Sequence, residues 1–187
     1  MTLRDFQRDF NKNFNKITGL VESVVSDVAE QVTSPRTKKV LNSALDTIRP
    51  HFLSLGARIS VLSSSQVELT LPRKLRNLDE QGQILPGVQI SAAVEAYRLL
   101  WKRNAPEGEF QIIIRNVQTR FLKFSKDDLK IRGELGDLTR EARWAELEKH
   151  KRSQHQMTLH LFDSQDQICT EVEIESELLF KELLEWK

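Results

Sequence analysis

The sequence predicts an α+β domain in which an antiparallel sheet packs on one long central helix. Three observations carry this. A loop containing Gly82 and the Pro86-Gly87 pair delivers a stretch free of Gly and Pro until Pro106, and its apolar residues Ile90, Ala93, Val94, Tyr97, Leu100 and Trp101 recur at helical spacing. A hairpin pattern precedes that helix and four runs of strand character follow it. Hairpin, helix, then strands is an α+β order.

The chain has 187 residues, enough for one domain with its own core. Its 28 Lys+Arg against 27 Asp+Glu leave a formal charge of +1, so no global field favours nucleic acid or an anionic membrane. Basic and aromatic residues do not cluster either, and no nucleic-acid partner is expected. The lone Cys169 excludes an intrachain disulfide and a multi-cysteine metal site, and it fits a reducing compartment. The four histidines, His51, His150, His155 and His160, form no H-x3-H pair, so neither metal nor cofactor is expected. Charges interrupt every apolar run near the N-terminus, and no 18-residue apolar span occurs. The expectation is a cytoplasmic protein without stable membrane insertion.

Taken in order, Phe6, Phe10, Phe14, Ile17, Val21, Val24, Val28 and Val32 trace one apolar stripe at helical spacing. Such a stripe needs a covering surface: the body of its own domain, a second copy, or a membrane. The polar side mixes Arg4, Asp5, Arg8, Asp9, Lys12 and Lys16, whereas a membrane-surface helix carries a mainly basic one, so protein is the expected cover. The nearest match in pattern is the C-terminal run Phe180, Leu183, Leu184 and Trp186. Ser34-Pro35 then starts a second helix with the apolar face Val40, Leu41, Ala44, Leu45 and Ile48, closed by Pro50. Residues 1–45 thus read as a helical extension and 46–187 as the main domain.

Beyond Pro50 the period changes from 3.6 to 2. Ile59 and Val61, a Ser63-Ser64-Ser65 turn, and Val67, Leu69 and Leu71 form the expected hairpin. Small residues crowd the first half of the central helix (Gly87, Ser91, Ala92, Ala93, Ala96), which permits close approach of the sheet or of an extended ligand. After Pro106-Glu107-Gly108 come an extended run to Phe124, a second from Leu129 to Leu135, and a short helical insertion between Gly136 and Ser153 capped by Asp137 or Thr139. Two further strands follow. In the last, Glu171, Glu173, Glu175 and Glu177 share one side, so that side must meet water and cations, for which Lys130 and Arg132 are candidates.

This order resembles the hotdog fold, in which an antiparallel sheet wraps around a long helix that follows the first hairpin. The run Arg76-Asn77-Leu78-Asp79-Glu80-Gln81-Gly82-Gln83-Ile84-Leu85-Pro86-Gly87 is similar to the N-x-N-x-x-G-t-x-x-G-G loop of the thioesterase-like branch of that superfamily, and the likeness spans about Asp46 to Phe180. Leu85-Pro86-Gly87-Val88 also resembles the helix start of hotdog dehydratases, but Ala92 stands where those enzymes carry a glutamate.

The resemblance implies acyl-thioester hydrolysis at a groove between two copies, with an acyl-CoA or acyl-carrier conjugate as substrate and a homodimer or higher homo-oligomer as the assembly. It implies Asp79, in the D-x-x-G loop, or Glu95, two turns into the helix, as the catalytic carboxylate. Glu95 is one residue off the matching helical position, where Val94 stands, and so is expected to face solvent or a partner copy. Asn77, Gly82, Gly87, Val88 and Ser91 are the implied substrate-binding positions. Pro86 where the family has Gly, together with the displaced Glu95, keeps a second function open: a non-catalytic acyl-binding or scaffold dimer that retains the fold without the chemistry.

Overall fold

The structure is a computed structural model that describes residues 54–104 and 110–180. The two expected N-terminal helices, the boundary at residue 45, and the C-terminal run beyond Phe180 lie outside the described residues.

The hairpin forms as the alternation predicts, with β1 at Arg58–Leu62 and β2 at Gln66–Leu71. Ser63 closes its turn: the backbone N–H donates to Gln66 O at 2.8 Å, and Oγ accepts from Gln66 N at 3.0 Å. The central helix α1, Pro86–Arg103, begins four residues before Ile90, the first residue of the apolar pattern, because Pro86 at its first position loses no hydrogen bond there. Then come β3 (Phe110–Phe121), β4 (Leu129–Glu134), α2 (Asp137–His150), β5 (Arg152–Phe162) and β6 (Ile168–Phe180). All six strands form one antiparallel sheet in the order β1-β2-β4-β5-β6-β3. Leu69, Leu71, Ile131, Leu159, Leu161, Val172 and Ile174 are buried on the face that carries α1. That is the one-sided sheet around a helix that the resemblance implies.

Ala93, Tyr97, Leu100 and Trp101 of the predicted face are fully buried, but in the first half of the helix the buried side differs from the one its apolar residues predict. Ile90 and Val94 are only half-buried, whereas Gln89, Ala92, Glu95, Ala96 and Leu99 are buried. The buried face is thus extended by about one residue step, roughly 100°, leaving Ile90 and Val94 at its margin. Volume explains this better than hydrophobicity: the alanine line lets the helix backbone settle close to the bulky leucines and isoleucines of the sheet, where Ile90 and Val94 would hold it away. The extended face takes in Glu95, which is buried within the chain, where solvent or a partner copy was expected to meet it.

The cations opposite the glutamates are also corrected. β6 lies between β5 and β3, so its neighbours across the ladder are not the residues of β4. Glu171 pairs with Arg120 at 3.1 Å and Glu177 with Arg115, both from β3. Arg132 instead holds Glu68 at 2.7 Å and Asp166 at 2.9 Å.

α2 starts from Gly136, with no side-chain cap from Asp137 or Thr139. Trp144 anchors it, meeting Trp101 edge-on at 5.8 Å and Phe110 at 5.2 Å between ring centroids. Beneath this cluster Tyr97 Oη lies 3.1 Å from His155 Nδ1 and in hydrogen-bond contact with Ser176 Oγ. Burial pushes the Tyr97 hydroxyl up to about 12 and His155 down to about 4, the latter helped by the charge of Arg143. His155 is therefore neutral in the fold, while an unfolded histidine binds its proton near pH 6.5. Its contribution to stability is full above pH 6.5 and is lost as pH falls toward 4, up to about 3 kcal/mol for a shift of this size. The urea midpoint of the parent should fall more steeply between pH 7 and 4 than that of His155→Gln; parallel curves would show that His155 titrates normally.

Candidate active site

The loop before α1 is built on a hydrogen-bonded aspartate turn. Asp79 Oδ1 accepts from the N–H groups of Gln81 and Gln83, each at 2.9 Å; Asp79 N donates to Gln83 O at 2.8 Å, and Gly82 N to Asp79 O at 3.1 Å. Gly82 takes φ +76°, which a side chain would resist, and its carbonyl accepts from Arg73 Nε at 3.0 Å. Asn77, a predicted substrate contact, is instead buried, its Nδ2 donating to Leu55 O at 2.8 Å and Pro72 O at 3.1 Å.

The same turn occurs a second time between β5 and β6. Asp163 Oδ1 accepts from Gln165 N at 2.9 Å and Gln167 N at 3.0 Å, Asp163 N donates to Gln167 O at 3.0 Å, and Asp166 takes the positive φ of 60°. The two loops differ at the second carboxylate oxygen. That of Asp163 is held by Lys123 Nζ at 2.7 Å, which keeps its carboxyl below the usual range. That of Asp79 accepts no hydrogen bond among the described residues. A D-x-x-G match therefore has a structural reason to carry aspartate, and the free oxygen is what distinguishes Asp79.

Asp79 borders a cleft of about 200 Å³, walled by Phe121, Phe124 and Leu129, with Lys123 and Cys169 also on its surface. Burial raises the Cys169 thiol, so it is protonated and a weak nucleophile. Pro86 and Gln89 of α1 form the adjoining wall. In the first turn the Val88 and Gln89 N–H groups both donate to Leu85 O, at 3.0 and 3.1 Å, and the Gly87 N–H, at the positive end of the helix dipole, meets no backbone acceptor among the described residues. Among the described residues, no atom beyond its chain neighbours and its own helix backbone lies within 4 Å of where a Gly87 Cβ would stand, so packing among them does not demand glycine there.

Gln89 is the residue sequence reasoning missed. It is buried, donates from Nε2 to Ile84 O at 2.7 Å and accepts at Oε1 from Thr170 Oγ1 at 2.7 Å, fixing the first turn of α1 to β6. A glutamine in line with Ala92, Ala93 and Ala96 was the available signal. Gly82, Gly87, Val88 and Ser91 do not line the cleft, and Ser91 is exposed. Nor does Glu95, which stands nine residues beyond Pro86, about 14 Å along the axis, and pairs with Arg98 at 3.2 Å. The two candidate carboxylates are therefore not brought together on one cleft.

No family model and no curated protein matches the chain. Solved structures do. A protein from Pseudomonas aeruginosa named as a probable thioesterase superposes with a TM-score of 0.70 at 18% identity, covering 76% of this chain and 95% of its own. A protein of unknown function from Chlorobaculum tepidum gives 0.65 at 12%, covering 78% and 96%. A thioesterase from Haemophilus influenzae gives 0.56 at 14%, covering 76% and 90%. The chain has the hotdog fold, of the kind seen in these thioesterase-like structures. Among the described residues no helix is long and apolar enough to cross a membrane.

Proposed function

We propose that the chain is an acyl-thioester hydrolase acting on a coenzyme A or carrier-protein conjugate as a homodimer. The observation that carries the reading is Asp79, whose second carboxylate oxygen has no partner among the described residues, on an apolar-walled cleft beside the start of α1. In this reading Asp79 takes a proton from a water that attacks the thioester carbonyl. Charge developing on the carbonyl oxygen is met by the positive end of the dipole of α1, whose Pro86 and Gln89 wall the cleft, and the tetrahedral intermediate collapses by releasing the thiolate. Gln89 positions the helix turn that supplies this field. Glu95, paired with Arg98 and remote from the cleft, has a structural part.

The dimer rests on β3. It is an edge strand of 12 residues whose Ile112, Ile113, Ile114 and Val117 are only half-buried, a surface that single chains rarely leave unprotected. Light scattering at micromolar concentration should give twice the chain mass; a monomer mass removes the composite groove. The second reading, a non-catalytic acyl-binding or scaffold dimer, is favoured by the turn-forming role of Asp79 Oδ1, which needs no chemistry to explain it. Release of free thiol from short, medium and long acyl-CoA esters separates the two. Turnover supports the hydrolase, and binding without turnover supports the alternative.

A further inference from the structure

Five of the seven large hydrophobic residues exposed among the described residues, Leu85, Phe121, Leu122, Phe124 and Ile168, lie on the cleft surface or one residue from it in sequence. Phe124 is 76% and Leu122 50% exposed. A concentration of apolar surface at one place marks something that binds there. The cleft beneath does not account for it: Leu85, Leu122 and Ile168 are not among its lining residues, and Phe121 and Phe124, which wall it, remain 43% and 76% exposed.

We propose that this apolar lip is the docking surface for the stripe Phe6–Val32 of the same chain. The described chain begins beside it: the Leu55 carbonyl is bound by Asn77, whose own carbonyl accepts from Leu85 N at 2.8 Å. Leu55, in the first described turn, is thus linked to Leu85 of the lip through Asn77. The intervening residues 33–53 reach up to about 70 Å if extended, far more than the lip requires. The stripe offers three phenylalanines and five branched aliphatic residues on one side of the helix its spacing predicts, the complement of an apolar surface. Its mixed-sign polar side disfavours a bilayer. A tether of this length holds the stripe at roughly millimolar effective concentration, so its own lip outcompetes that of another molecule in micromolar solution. The proposal stands whether or not the cleft hydrolyses thioesters.

Cross-linking in the full chain tests it. In a Cys169→Ser background, Phe124→Cys is combined in turn with Phe10→Cys, Phe14→Cys or Ile17→Cys, and with Lys12→Cys as the polar-side control. Mild oxidation should give an intrachain disulfide for at least one stripe position and none for Lys12→Cys. Products linking two chains, equal yield from the control, or no product at any position would each overturn the proposal, as would flotation of the parent with liposomes. An independent measurement avoids engineered cysteines. The Leu122 and Lys123 amides, which donate to Cys169 O at 2.8 and 3.1 Å, should exchange hydrogen about tenfold faster in Phe10→Asp/Phe14→Asp than in the parent. Unchanged exchange there would count against docking on this lip.

Discussion

Asp79→Asn should reduce thioester turnover by about 100-fold or more while leaving the fold in place, the low end expected when a general base is lost. The substitution is informative because the two carboxylate oxygens have separate tasks. Asparagine keeps an Oδ1 able to accept from Gln81 N and Gln83 N, so the turn is preserved. The amide NH2 replaces the oxygen without a described partner, removing its charge and basicity together. Asp79→Ala would instead also strand two backbone donors, a cost of about 1–3 kcal/mol that confuses structure with chemistry. Glu95→Gln should cost far less rate, because that carboxylate lies off the cleft. If Asp79→Asn hydrolysed thioesters as fast as the parent, Asp79 would be a turn residue only, the equivalent of Asp163 in the second loop.

Trp101→Ala should destabilise the protein by about 3–5 kcal/mol, the usual range for emptying a buried tryptophan site, and lower its melting temperature by about 10 °C. Trp101 is fully buried and is where α1, α2 and β5 meet. It contacts Trp144 at 5.8 Å, His155 at 4.8 Å and Tyr97 at 6.5 Å, all edge-on. Removing it leaves a void and takes away the surface on which Trp144 docks α2. Trp101→Phe should restore part of the loss by filling part of the space. A melting temperature within 2 °C of the parent, by this scale under about 1 kcal/mol, would show that α2 is held elsewhere.

What the sequence by itself determined is the set of features encoded in neighbouring residues. The hairpin was legible because alternation and a serine turn are both local. The central helix was legible because Gly and Pro bracket its periodic core. The loop of Asp79 was legible because an Asp-x-x-Gly turn closes within five residues, by hydrogen bonds that any such segment can make. Only the tertiary structure decided where the buried face of α1 ends, since Ala92 and Ala96 outrank Ile90 and Val94 only when the bulk of the opposing sheet is known, whereas Tyr97, Leu100 and Trp101 are buried as their spacing predicts. It also decided which cations meet the glutamates, because β3 crosses to the far edge and pairs with β6. The cleft joins Asp79 and Gln89 to Phe121 at the end of β3, Phe124 in the segment after it and Cys169 of β6, all distant in sequence from the loop. Short-range hydrogen bonds fix the turn that holds Asp79, but whether its second oxygen is neutralised, as Lys123 neutralises that of Asp163, depends on which chain segments the sheet places beside it.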